Sequence, residues 1–115
     1  MEWAERALRV SPNDRLTYAA HDVLAIGHFL LGQYDEAALA ARRAIQSNPD
    51  FSVSHSLLAA ALVELDQVEA AKAAAMQVMA LQPSFSSHGF CAAVGIVPAL
   101  AKPLTEAWRQ AGLPP

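Results

Sequence analysis

Cysteine is nearly absent from this chain of 115 residues, in which Cys91 is the only one. A single thiol cannot form an internal disulfide, so a small disulfide-stapled fold is excluded and a reducing compartment is favoured. We therefore expect a cytoplasmic protein. In it, Cys91 serves as a small buried hydrophobic residue rather than as a reactive or metal-binding thiol.

Charge is also scarce, because charged residues make up only 17% of the sequence and the net charge is −3. Lys and Arg are too thinly spread to form the basic stripe that binds a phosphate backbone. The start, Met1-Glu2-Trp3, lacks the basic and then apolar order of a signal peptide. The longest apolar run, from Phe90 to Ala101, is far shorter than the roughly 20 residues that span a membrane. The sequence thus predicts neither a nucleic-acid partner nor a membrane partner.

Motifs that carry chemistry are missing as well. There is no Gly-rich phosphate loop, and no carboxylate or cysteine stands at ligand spacing beside His21, His28 or His55. The serines around His55 are more simply the start of a helix than a nucleophile with its base. We expect the imidazoles to fill the core as flat side chains, with a groove or pH role as the alternative. The sequence therefore predicts no catalytic residue, no metal, no cofactor and no enzyme.

Alanine, by contrast, is abundant at twenty-five positions, and hydrophobic residues make up 54% of the chain. Alanine is the best helix former and lets helices approach closely, whereas Val and Ile never form the alternating runs of strands. Pro12, Pro49 and Pro83 each stop a helix, and the polar residues after them can cap the next one. The apolar spacing predicts seven helices, near Glu2–Val10, Leu16–Leu31, Asp35–Ser47, Ser52–Leu65, Val68–Leu81, Ser87–Val94 and Pro98–Ala111.

The middle of the sequence repeats itself at an offset of 34 residues. Ten positions are identical when residues 18–51 are laid over residues 52–85. The first residue of each pair is His21, Leu24, Ala25, Leu31, Gln33, Ala37, Ala40, Ala41, Pro49 or Phe51. Residues 4–12 match residues 41–49, which predicts that the chain opens on the second helix of a hairpin whose first helix is missing. A two-helix unit of this kind cannot bury its apolar face without neighbours.

These residues resemble the tetratricopeptide repeat family, most clearly in the block Leu31-Gly32-Gln33-Tyr34-Asp35-Glu36-Ala37 and in Asn48-Pro49. The resemblance implies an all-α fold, a right-handed α-solenoid of antiparallel helix hairpins with a C-terminal capping helix. It divides a single domain into a truncated repeat over 1–12, full repeats over 18–51 and 52–85, and a degenerate half-repeat with its cap over 86–115. Family members bind peptides on the concave side, which the first helix of each hairpin lines.

Carried over by alignment, that concave groove is formed by Ala19, Asp22, Ile26, Phe29, Leu30, Val53, Ser56, Ala60, Val63 and Glu64. The Lys, Asn and Arg with which chaperone-docking members hold a peptide carboxylate are missing. What remains is an apolar trough with two acids, suited to an amphipathic helix with a Lys or Arg nearby. We expect Asp in place of Phe29 or Val63 to abolish binding and leave the fold largely intact. The alternative occupants are the chain's own last helix and a neighbouring molecule.

The function predicted from these observations is a non-catalytic protein–protein interaction module. The ending Trp108-Arg109-Gln110-Ala111-Gly112-Leu113-Pro114 is similar to the C-terminal repeat regions of bacterial class III adenylate or guanylate cyclases and related regulators. That similarity implies a C-terminal fragment of a larger bacterial signalling or regulatory protein. The alternative is a homodimer, formed through the segments from Met1 to Val10 and from Phe90 to Ala101, with no foreign ligand.

Overall fold

The computed structural model describes residues 2–10, 17–95 and 98–115, and all regular structure in these ranges is helical. The helices are α1 (Glu2–Val10), α2 (Tyr18–Leu30), α3 (Tyr34–Ser47), α4 (Ser52–Glu64), α5 (Val68–Leu81), α6 (Ser87–Val94) and α7 (Pro98–Ala111). The predicted all-α solenoid is confirmed. Predicted and observed helix ends differ by no more than one residue in the described ranges; Leu16, the predicted start of α2, lies outside them.

The two central hairpins turn by the same backbone device. Gly32 and Asp66, which occupy equivalent positions of the two repeats, both have left-handed φ angles, +77° and +60°. In each turn the next residue reaches back along the preceding helix: the Gln33 N–H donates to His28 O at 2.8 Å, and the Gln67 N–H donates to Leu62 O at 2.9 Å. This geometry satisfies helix-end carbonyls and reverses the chain within a few residues.

Small side chains let the hairpins pack closely. The main helix contacts pair α2 with α3, α3 with α4, and α4 with α5. Ala41, Ala59 and Ala71 at these interfaces are fully buried. A methyl group in place of a larger side chain allows two helix backbones to approach each other, so the alanine spacing of the repeat becomes the core of the solenoid.

Helix α7 packs across α4 rather than as one half of a third hairpin. It lies chiefly on α4, less on α5, and reaches α2. Trp108 is fully buried, and its Nε1–H donates to Ser56 O at 2.8 Å. Phe85 and Phe90 meet the indole edge-on, with ring centroids 5.4 Å and 5.0 Å away. Edge-on aromatic pairs add about 0.5–1.5 kcal/mol each beyond the area they bury, so α7 is held firmly.

The last residues of the chain return to the start of α6. The backbone N–H groups of Ser87 and His88 donate to Pro114 O at 3.0 Å and to Pro115 O at 2.8 Å. The Ser86 side chain caps the same helix by accepting from the Gly89 N–H at 3.0 Å. The N–H groups that every helix leaves unpaired at its first turn therefore find partners here, and α6 and α7 are tied together.

Candidate functional site

Helices α2 and α4 lie side by side and carry the ten groove residues predicted from the sequence, but the structure does not bring them together as one open trough. Asp22, Phe29, Ser56, Ala60 and Val63 are buried; Ala19, Ile26 and Val53 are half-buried; Leu30 and Glu64 are exposed. The α4 side of the predicted groove is therefore closed, whereas part of the α2 side faces solvent.

Helix α7 accounts for the closure. Phe29, Ala60 and Val63 belong to the same buried cluster as Leu104 and Trp108 of α7. One of the occupants that the sequence left open, the chain's own last helix, thus lies on this face. The expectation that Asp in place of Phe29 or Val63 would leave the fold intact is wrong, because these side chains are only 3% and 6% exposed. A buried carboxylate at either position would lose its hydration.

A foreign peptide could reach the α4 side only by displacing α7. In that helix and the residues after it, the side chains of Leu104, Trp108 and Leu113 are almost completely buried. Burial of each such side chain contributes about 1.5–3 kcal/mol to stability. A competing peptide would have to replace the whole of this free energy before its own binding became favourable. The buried side chains of α7 are therefore part of the core, and the helix closes the α4 side.

The open part of the face is an apolar stripe on α2, made of Ala19, Val23, Ile26 and Leu30. Their spacings of four, three and four residues place them on one side of the helix. Val23 is 38% exposed and Leu30 is 41% exposed, while the other two are half-buried. Val23 is not among the residues predicted from the family resemblance, although its spacing to Ala19 and Ile26 was a signal that could have identified it.

Asp22, next to this stripe, is a buried group rather than a surface acid. Ser54 Oγ of α4 donates to its Oδ2 at 2.9 Å, and its Oδ1 has no hydrogen-bond partner. Burial raises the pKa of Asp22 to about 7, and the Ser54 hydrogen bond only partly opposes that rise. Of the two acids predicted to attract a cation, only Glu64 is exposed at the surface.

The histidines are tied into turns and the helix core. His21 is buried, and both this burial and the nearby Arg43 lower its pKa. His28 Nδ1 lies 2.6 Å from Gln33 Oε1, and His55 Nε2 lies 2.9 Å from Pro49 O. His21 therefore fills the core as predicted, whereas the sequence did not reveal that His28 and His55, both half-buried, link helices to turns.

Within residues 2–10, 17–95 and 98–115, no three His, Cys, Asp or Glu side chains come together in a way that could hold a metal ion. Within the same ranges, each helix is too short or too polar to cross a membrane. Cys91 is half-buried, and burial raises the pKa of its thiol, which disfavours the reactive thiolate.

Two other apolar side chains are exposed in the segments predicted to self-associate. Trp3 on α1 is 60% exposed, and Val94 at the end of α6 is 51% exposed. Beside Trp3, Arg6 and Glu2 form an exposed ion pair at 3.4 Å.

Comparison with protein families gives a match in the central part of the chain. A family model described as tetratricopeptide repeat matches residues 28–89, more than half of the chain. The match includes α4 and α5 and the turns on either side of them. A comparison with curated proteins finds no match.

Proposed function

This chain belongs to the tetratricopeptide repeat family, whose repeats generally mediate protein–protein interaction, and we propose that it is a non-catalytic module that binds an amphipathic helix or peptide on its concave face. One observation carries the proposal: the stripe of Ala19, Val23, Ile26 and Leu30 is apolar, continuous along α2 and accessible to solvent. A helix with anchors three and four residues apart matches such a stripe.

The partner helix binds on the α2 stripe and leaves α7 in place. Two or three Leu- or Phe-sized anchors at about 1.5–3 kcal/mol each support micromolar affinity once association costs are subtracted. A Lys or Arg on the partner pairs with exposed Glu64. The buried groove positions, among them Phe29, Ser56 and Ala60, belong to the closed part of the face and do not touch the ligand.

Site-specific photocrosslinking tests this proposal. A photoreactive amino acid replaces Val23 in one protein and Val68 in a control, since Val68 is also an exposed valine but lies on α5. We expect a crosslinked second protein from position 23 only, and its loss in a Leu30→Glu variant. Equal crosslinking from both positions, or none from either, would contradict binding at the stripe.

Self-association is the second candidate, and exposed Trp3 and Val94 favour it. In this version the segments 1–10 and 90–101 of two copies bury each other. Light scattering would then give the mass of a dimer at micromolar concentration, and Trp3→Glu would return it to a monomer. A monomeric mass throughout this range would exclude the dimer.

The wider context that we propose is a larger bacterial signalling or regulatory protein in which this module is C-terminal. Its support is the likeness of residues 108–114 to the endings of bacterial cyclase repeat regions. The gene in its chromosomal context tests the idea: an open reading frame that joins this module to a catalytic or DNA-binding domain is expected, and a gene that encodes the module alone would contradict it.

A further inference from the structure

A second apolar depression lies between α3 and α5 with α4 as its floor, on a different side of the molecule from the α2 stripe. We call it the α3–α5 groove. Its volume is about 580 Å³, and its lining consists of Arg42, Ile45, Gln46, His55, Leu58, Leu62, Ala70, Ala73, Ala74 and Gln77. This volume is in the range of natural ligand clefts.

The groove follows from the way the repeats stack. Its α5 wall is formed by Ala70, Ala73, Ala74 and Gln77, and the short alanine side chains leave half-buried Leu58 accessible at the base, beside buried Leu62. Residues 55, 58 and 62 are spaced by three and four, so they share one side of α4. The described residues that line the groove all belong to α3, α4 and α5, so α7 leaves the groove open.

The charge of this groove has one sign. Arg42 is the only formally charged residue in the lining, and no carboxylate lines the groove, although the whole chain has a net charge of −3. No carboxylate of the described residues forms an ion pair with Arg42. Arg43 is directed elsewhere, because its charge acts on His21 of α2. The Nε2 atom of His55 is already in a hydrogen bond with Pro49 O.

We propose that the α3–α5 groove is a second docking surface, whose ligand is an acidic amphipathic helix from another protein. Aliphatic side chains of that helix pack on half-buried Ile45 and Leu58, and a Glu or Asp beside them pairs with Arg42. The unpaired cation, in a groove whose lining has no other formal charge, supplies the charge complementarity, which selects an acidic helix over a basic one. The module then binds one partner on each of two faces and can hold the two together.

The test uses a fluorescein-labelled synthetic helix of about 16 residues, with leucines at i, i+3, i+4 and i+7 and glutamates on both sides of them. Fluorescence anisotropy measures its affinity for the whole protein. We expect saturable micromolar binding, weakened about tenfold by Arg42→Glu, which amounts to about 1.4 kcal/mol. Arg43→Glu is the matched control, because it makes the same charge change at an exposed neighbouring position, and it should alter the affinity less than about twofold.

A charge swap makes the test specific. The same peptide with lysines in place of the glutamates should bind the wild type weakly and the Arg42→Glu variant better. Amide chemical-shift changes on peptide addition should centre on α3 and α5. Equal effects of the two arginine substitutions, no saturable binding, or shift changes centred on α2 would each overturn the proposal.

Failure of this proposal is distinguishable from failure of the proposed function. Val23→Glu alters the α2 stripe and should leave the anisotropy titration unchanged. Conversely, Arg42→Glu should leave crosslinking from position 23 unchanged. If Val23→Glu abolishes binding of the acidic peptide, the peptide uses the stripe and the α3–α5 groove is not its site.

Discussion

At the scale of single residues, Asp22 is the most unusual group in the protein. Its carboxyl group is 6% exposed, accepts one hydrogen bond from Ser54 and leaves one oxygen without a partner. Alignment with the family places Asp22 on the α2 side of the groove. It could not show that the acid is buried, because the covering elements are far away in sequence.

Asp22 makes folding stability depend on pH. Its pKa is raised from 3.8 to about 7 in the folded state, so the unfolded chain loses this proton at lower pH. The free energy of unfolding therefore falls as pH rises between about 4 and 7, by at most about 1.4 kcal/mol per pH unit. Asp22→Asn should remove this slope and make the protein more stable than the wild type at pH 8.

Urea unfolding at pH 5 and pH 8 measures the effect. Asp50→Asn, at an exposed position, is the control and should keep the slope of the wild type. His21 acts in the opposite sense: its lowered pKa makes stability fall as pH drops towards 5. Since His21 is present in every variant, the difference between Asp22→Asn and the wild type isolates Asp22. If the free energy of unfolding of Asp22→Asn changes between pH 5 and pH 8 by as much as that of the wild type, the prediction is contradicted.

At the scale of elements, the hairpin turns show how far local sequence determines structure. The turns lie at Gly32-Gln33 and Asp66-Gln67, between helices whose ends the sequence predicts. Both turns need a left-handed residue, which glycine adopts freely and an L-amino acid adopts at a cost. Asp is among the side chains that tolerate this conformation, which is why the second turn forms without glycine.

Equivalent substitutions in these turns should have opposite effects. Gly32→Ala should destabilise the protein by about 1 kcal/mol, and this cost is torsional because an added Cβ would meet no atom within 4 Å. Asp66→Gly should stabilise it by a few tenths of a kcal/mol up to about 1 kcal/mol. Both changes in stability are measured as shifts of the urea unfolding midpoint, with the dependence of the unfolding free energy on urea concentration unchanged. Destabilisation by Asp66→Gly would mean that the Asp66 side chain contributes more than its backbone conformation costs.

At the scale of the whole molecule, α7 decides which surfaces are free. The sequence predicts this helix and its ends correctly from the spacing of Leu104, Ala107, Trp108 and Ala111. It gives this helix only as one possible occupant of the α2–α4 face, because the amphipathic pattern shows that one side must be buried but not what buries it. The indole hydrogen bond to Ser56 O joins positions 52 residues apart in sequence.

Removing one anchor of α7 should destabilise the entire domain. Leu104→Ala leaves a cavity in the core and should lower the free energy of unfolding by about 2–5 kcal/mol, whereas Leu39→Ala on the exposed side of α3 should change it by less than about 0.5 kcal/mol. Chemical unfolding followed by circular dichroism measures both variants. Equal small effects would mean that α7 is a loosely attached cap, and the α4 side would then be available to a peptide after all.

The sequence by itself determined the helices, their turns and the stacking of the repeats, because periodic apolar spacing, prolines and turn residues act over a few neighbouring positions. Only the tertiary structure decided that α7 closes the α4 side, that Asp22 is buried without a full set of hydrogen bonds, and that a groove with one cation opens between α3 and α5. Burial and charge at these places are set by residues that lie dozens of positions away along the chain. Which side chains are exposed therefore depends on the packing of the whole molecule.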